Sequence, residues 1–337
     1  YKADIENGNL TREEALALTQ EFFIDLNFDA DLYPGVQQGD NGQSMVLGGC
    51  DEEGKSVFND LSRLCLEASL GLKLIDPKIN LRVDSNTPEE IYLLGTKLTK
   101  QGLGFPQYSN DDVVVPALVE MGYELKDARN YVVAACWEFI IPGVAMDIVN
   151  IDALNFPKIM LNTVKAELEK TATFGELMDK VKENIAKDCD RLINSTKNMF
   201  MQPSPFQSIL MTDCIAAGKD ISEGAKYNNY GFHGAGLSTA VDSLAAVRKC
   251  VYEDKSVSAS ELLKALEDDF EGHTDLRNKL LKAPKMGSND DEADEIAVML
   301  LNDFADSLQG KKNERGGIFR AGTGSAMYYI WFSSELG

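Results

Sequence analysis

The stretch Tyr131-Val-Val-Ala-Ala-Cys136-Trp-Glu138-Phe-Ile-Ile-Pro-Gly143 is apolar except for one thiol and one carboxylate two residues apart, and Pro142-Gly143 closes it. In an extended segment residues i and i+2 point to the same face, so Cys136 and Glu138 are expected to face one cavity. Glu138 is flanked by Trp137, Phe139, Ile140 and Ile141, surroundings that strip water from a carboxylate and suit it to proton transfer. The same pattern also suits an inert buried cysteine beside a glutamate, because free cysteine is commonly buried. A bare Cys-x-Glu pair does not choose between the two.

Outward from this stretch, long amphipathic segments alternate with short apolar ones bounded by Gly, Pro and Asn. Thr11 opens a helix with a capping box to Glu14, and apolar residues from Leu16 to Leu26 repeat at helical spacing. Ser56 to Leu72 reads the same way. In Thr87-Pro88-Glu89-Glu90, Thr87 is the expected N-cap, Pro88 the first helical position, Glu90 the closure of the box, and Gly102 the stop. Further helices are expected over 113–121, 157–170, 174–196, 205–217, 237–253, 258–268 and 289–309. Strands are expected at Ser44–Leu47, Asn80–Val83, Ala134–Ile141 and Gly317–Arg320. Short apolar strands between helices predict an α/β fold with a largely parallel sheet or barrel under helices.

The composition narrows the function. The chain has 337 residues, 44% hydrophobic and 26% charged, enough for a sizeable core. With 33 Lys and Arg against 54 Asp and Glu, the net charge is −21, a field that repels nucleic acid and anionic lipid. The opening YKADIENGNLTREE lacks the basic flank and apolar run of a signal peptide, so neither nucleic acid nor membrane is expected as a partner and the cytoplasm is the expected location. Six cysteines without a CxxC pair, and two histidines, His233 and His273, argue against a metal site. Carboxylate or cysteine chemistry is left.

Six stretches carry a resemblance to a known family: GDNGQSMVLGGCDEEG (39–54), RVDSNTPEEI (82–91), GLGFPQYSNDDVVVPALVEMGYELKDARNYVVAACWE (102–138), SILMTDCIAAGKDISEGAKYNNYGFHGAGLSTAVDSLAAVRK (208–249), KAPKMGSNDDEAD (282–294) and FRAGTGSAMYY (319–329). In this order they resemble the glycyl radical enzymes of the pyruvate formate-lyase family over nearly the whole chain. The resemblance implies a ten-stranded α/β barrel of two five-strand halves surrounded by helices, here incomplete. It further implies one barrel domain over 1–337 truncated at both ends, with the C-terminal glycyl radical domain absent. The family's radical loop carries an Arg-Val-x-Gly-Tyr type motif that this sequence lacks. Gly322 and Gly324 do not supply it, and the chain alone is expected to be inactive.

The resemblance gives Cys136 the place of the thiyl radical that abstracts hydrogen from substrate, and Glu138 that of general acid/base. Acyltransferases of the family carry two adjacent cysteines, whereas eliminating and decarboxylating members carry Cys-x-Glu. With Ala135 and Trp137 beside Cys136, a carbon–heteroatom lyase of dehydratase or decarboxylase type is favoured over formate acetyltransferase, and a non-catalytic scaffold of the same fold is the third reading. Ala135, Trp137 and Phe139 depart from the usual Gly, Val and Pro, and Trp137, if it points away from Cys136, is expected to pack beneath the loop rather than to shape an aromatic substrate pocket. Gln43, Ser44, Tyr108, Asn110 and His233 are the candidate substrate-binding residues. Gln43 and Ser44 equally suit capping or strand bonds, Asn110 and Asp111 also suit capping the next helix, and His233 in its Gly-rich turn suits a hydrogen-bonded structural role better than an acid–base one. The implied partners are a small-molecule substrate, an activating enzyme using S-adenosylmethionine and an iron–sulfur cluster, and a second copy in a homodimer; no bound cofactor and no metal is expected.

Overall fold

The strand Lys78–Val83 (β2) reads Lys-Ile-Asn-Leu-Arg-Val, and its alternation sorts the two faces of the sheet it centres. Ile79, Leu81 and Val83 join a core with Leu47, Leu66, Ile91 and Leu98. These come from the strand Ser44–Gly48 (β1) and the helices Asp60–Leu72 and Glu89–Thr99. Lys78, Asn80 and Arg82 take the opposite face and are buried as well. The strand Gln107–Asn110 (β3) completes a parallel sheet of order β1-β2-β3, the two helices serving as the crossovers that parallel pairing requires.

The computed structural model describes residues 1–28, 42–134, 136–324 and 326–336. They divide into two units, Tyr1–Ala145 with Pro205–Tyr227, and Met146–Ser204 with Asn228–Gly337. The first holds β1-β2-β3 and a hairpin of Val132–Ala134 (β4) and Glu138–Ile140 (β5). The second holds a parallel sheet, Ile148–Asn155 (β6), Tyr230–Ala235 (β7) and Phe319–Thr323 (β8), in the order β6-β7-β8. Its core stacks Phe232 on Phe319 at 5.4 Å under the helices Phe156–Glu167, Phe174–Ser195, Leu237–Val247 and Asp291–Leu308. The α/β class holds. The described strands form two three-stranded parallel sheets, one in each unit, and one hairpin.

Local signals account for most boundaries. Thr11 and Glu14 form the expected box, and a further box of Thr173 and Glu176 heads Phe174–Ser195, which buries Leu177, Val181, Ile185, Cys189 and Leu192 on one face. The Thr87 box does not form. Pro88 sits at the N-cap position, and the Thr87 hydroxyl turns back to accept the Asp84 N–H at 2.9 Å. The Ser56–Leu72 helix starts only at Asp60, because Asn59 caps it through the N–H groups of Leu61 and Ser62. The 205–217 helix breaks into Pro205–Ser208 and Thr212–Ala217, since the Ser208 hydroxyl donates to Asp220 and accepts from Ile221 N–H. The 237–253 helix passes into a π-helical turn at Arg248–Glu253. Among the elements that lie where none was expected are β3, β6, β7 and the helices Leu125–Arg129, Thr274–Leu281 and Tyr329–Ser334.

Candidate active site

Cys136 and Trp137 form the tip of the β4–β5 hairpin, in which Ala134 lies opposite Glu138. This replaces the continuous strand expected over Ala134–Ile141. Alternate residues anchor the hairpin: Tyr131, Val133 and Ile141 are buried with Val115, Leu118 and Tyr123, and the Tyr131 ring meets Phe139 edge-on at 5.3 Å.

The turn ties the Glu138 carboxylate to the backbone of Cys136, a relation that a shared strand face would not give. Glu138 Oε2 accepts the backbone N–H of Cys136 at 2.8 Å and that of Trp137 at 2.9 Å, a local closure that holds the turn in place of ladder bonds. Glu138 is buried and Cys136 half-buried. Among the described residues Oε1 takes no hydrogen bond. Trp137 is 43% exposed, so it does not pack beneath the loop; the turn directs it outward. The other five thiols are shifted by their surroundings. Burial pushes those of Cys50, Cys65, Cys214 and Cys250 up, and Cys189 up to about 12, which keeps them protonated and unreactive.

Beneath the hairpin lies a buried ion pair. Arg82 Nε donates to Asp111 Oδ1 at 2.9 Å and Nη2 to Oδ2 at 2.7 Å, the bidentate fork geometry. Nη1 donates to the Tyr131 carbonyl at 2.9 Å, and the Tyr131 hydroxyl donates to Asp111 Oδ1 at 2.7 Å. The guanidinium also lies 3.9 Å from the Tyr131 ring centroid. Burial acts to lower the Arg82 pKa, but its bond to Asp111 and that residue's charge outweigh it, and the net shift is upward. Burial and then the Asp111 bond raise that of Tyr131. The sequence signal for this cluster was the polar alternation Lys78-x-Asn80-x-Arg82 within an otherwise apolar strand; Arg82 and Tyr131 were not among the expected site residues.

A sequence model of the family described as "Pyruvate formate lyase-like" matches residues 1–333. The chain belongs to that family. It is 29% identical over 352 aligned residues to (2S)-3-sulfopropanediol dehydratase of Klebsiella oxytoca, covering 96% of this chain and 42% of that protein. It is 28% identical over 365 aligned residues to trans-4-hydroxy-L-proline dehydratase of Clostridioides difficile, covering 100% of this chain and 46% of that protein. Among solved structures, the glycerol-bound B12-independent glycerol dehydratase of Clostridium butyricum matches with a TM-score of 0.87 at 30% identity, over 97% of this chain and 45% of that one. The chain spans less than half the length of these relatives. Dehydratases of the family are thus its documented likenesses, and its α/β sheets are theirs.

The other expected site residues of this family member are scattered. Gln43 and Ser44 are exposed at the N-terminal edge of β1, where the Gln43 backbone bonds Asp76 and Lys78. That edge is opposite to the Gly48 end, which pairs with Arg82. Tyr108 faces the helical side of its sheet, its hydroxyl 3.2 Å from Thr99 Oγ1. Asn110 caps the helix Asp111–Glu120 by accepting the Asp112 N–H. None of these four joins Cys136. His233 belongs to the second unit and lies on β7, not in a turn, buried opposite Gly322 of β8. A Cβ on Gly322 would stand 3.3 Å from its ring. Ala135 and Ser325 fall outside the described residues. Among the described residues no cluster of three His, Cys, Asp or Glu is placed to hold a metal, and no helix is long and apolar enough to cross a membrane.

Proposed function

We propose that the full-length polypeptide is a glycyl radical carbon–heteroatom lyase of dehydratase or decarboxylase type, in which Cys136 carries the reacting sulfur and Glu138 moves the proton. The observation that carries this reading is the closure of both residues into one turn, with the half-buried thiol on its tip and Glu138 held by two N–H donors on Oε2. A glycyl radical, installed by an S-adenosylmethionine and iron–sulfur activating enzyme, would supply the one-electron oxidation of the Cys136 thiol.

For a hydroxylated substrate the steps balance as follows. Cys136 Sγ takes a hydrogen atom from the carbon bearing a hydroxyl; an S–H bond forms and a C–H bond breaks. Glu138 takes the proton of that hydroxyl, the leaving group departs from the neighbouring carbon with its bonding electrons, and Glu138 returns the proton to it. The product carbon then recovers the hydrogen atom from Cys136, which ends as it began. Proton transfer by a positioned carboxylate contributes about 10² to 10⁴ in rate. The absence of a neighbouring thiol at 135 or 137 disfavours acyl transfer, and the dehydratases among its relatives favour elimination of water. A small hydroxylated substrate, a separate activating enzyme, a homodimer and a cytoplasmic setting complete the proposal.

The test is anaerobic. The full-length protein, activated with its cognate enzyme, should show a glycyl-radical doublet by electron paramagnetic resonance and consume one of a panel of polyols, hydroxyproline, sulfonated diols, aryl acetates, or pyruvate with CoA. Failure to form any radical, or undiminished turnover by Cys136→Ala, would overturn it.

A further inference from the structure

Three N–H groups of one guanidinium reach two places. Arg82 grips Asp111 with Nε and Nη2, and with Nη1 it holds the carbonyl of Tyr131, the residue immediately before β4 and five residues before Cys136. Tyr131 in turn closes the ring through its hydroxyl on Asp111 and its face against the guanidinium. Arg82 and Asp111 are buried, and Tyr131 is fully so. The site is built for a guanidinium at close quarters: a Cβ on Gly49 would stand 2.6 Å from its Cζ.

We propose that Arg82, with Asp111, is the positioning residue that sets the Cys136–Glu138 turn against the parallel sheet, acting through the Tyr131 carbonyl. β2 belongs to the sheet core, while the hairpin has only a three-residue pairing of its own, Val132–Ala134 with Glu138–Ile140. So short a hairpin does not hold its own orientation in water. The clamp transfers the rigidity of the central strand to the hairpin at its base. Arg82 is suited to this by its planar fork, which satisfies a carboxylate and a carbonyl together; a lysine ammonium, a point charge, cannot hold both in fixed directions. Asp111 aligns the fork. Hydrogen-atom transfer depends steeply on sub-ångström placement, so the clamp's effect on turnover rests on the lyase reading, whereas its effect on the turn itself does not.

The test reads the turn directly. Iodoacetamide alkylation rates are measured at every cysteine by peptide mass spectrometry in the native chain, with Cys65 of the sheet core and Cys189 of the second unit as internal standards. Arg82→Lys should raise the Cys136 rate several-fold, and Arg82→Met about tenfold, with Cys65 and Cys189 unmoved. Because Arg82→Met strands a buried Asp111 carboxylate and can unfold the first unit, the double variant Arg82→Met/Asp111→Leu removes both charges. It should fold, keep Cys65 protected, and still show the fast Cys136. Wild-type Cys136 reactivity in the folded double variant overturns the proposal, and so does a parallel rise at Cys65, which would mark general loosening. In the activated full-length enzyme the double variant should lose at least a hundredfold in kcat with KM within about threefold. If wild-type enzyme turns over nothing, the lyase reading fails while the alkylation result still decides the clamp.

Discussion

Glu138 Oε2 lies 2.8 Å from the backbone nitrogen of Cys136, so the carboxylate assigned to proton transfer is also the group that shapes the turn holding the thiol. The two duties separate by substitution. Glu138→Gln keeps an oxygen able to accept the N–H groups of Cys136 and Trp137 but cannot take a proton. In the activated full-length enzyme it should lower kcat by about 10² to 10⁴ and leave Cys136 alkylation unchanged. Glu138→Ala should lower kcat and also speed alkylation. Equal alkylation rates in both variants would show that the carboxylate does not hold the turn.

Lys226 Nζ lies 2.6 Å from Asp127 Oδ2, the Tyr227 hydroxyl donates to the same oxygen at 2.7 Å, and Glu124 Oε1 is 2.8 Å from the same ammonium. Burial works to raise the Asp127 pKa, but the bonds from Lys226 and Tyr227 overcome it and the net shift is downward. A carboxyl whose folded value lies below its unfolded value of about 3.9 contributes stability that is complete above that pH. The contribution disappears as pH falls through the folded value. Asp127→Asn should therefore cost about 1–3 kcal/mol at pH 7, with the gap to wild type narrowing below about pH 4. Urea unfolding at pH 7, 4 and 3 measures it; a gap independent of pH would remove Asp127 as its source.

Gly231 of β7 runs so close to β6 that a Cβ would overlap the Val149 carbonyl. Gly231→Ala must push the strands apart and should cost about 1–3 kcal/mol. Gly175, in the first turn of Phe174–Ser195, has nothing nearer than Thr173 Oγ1 at 3.9 Å, and Gly175→Ala should stabilise by about 0.4–1 kcal/mol through the unfolded chain. Thermal unfolding of the two variants should move in opposite directions.

Asn59 Oδ1 accepts the N–H groups of Leu61 and Ser62, whereas Thr87 caps no helix. Asn59→Ala should cost about 1 kcal/mol and fray the start of Asp60–Leu72. Thr87→Ala should leave the Glu89–Thr99 amides as protected as in wild type. Hydrogen exchange resolved by residue distinguishes the two, and early exchange at Glu89–Thr99 in Thr87→Ala would restore the capping box.

Local chemistry made much of this chain readable. The capping box at Thr11, the 3.6-residue spacing of Leu177 to Leu192, and the apolar strands at Ser44 and Asn80 depend on neighbours a few positions away, and such interactions are written directly in the order of residues. Six stretches in family order told the family, and a family model over residues 1–333 agrees. Thr87 shows the limit even at short range: its hydroxyl had two nearby amide partners to choose from, and the turn at Asp84 won.

The site divides the same way. Cys136 and Glu138 stood out as candidates because two polar residues in an apolar run are costly to bury without a task. Their mutual arrangement was not legible: the period-2 rule holds only while the backbone stays extended, and the pairing of Ala134 with Glu138 folds it into a turn. Nor could the order of residues join Arg82 to Asp111 and Tyr131, 29 and 49 positions away. The sequence by itself determined the family and many of the elements and singled out Cys136 and Glu138 as candidates, since these rest on composition and near neighbours. Only the tertiary structure decided which buried charges meet, because a bidentate ion pair depends on directions that strand register and hairpin packing alone set.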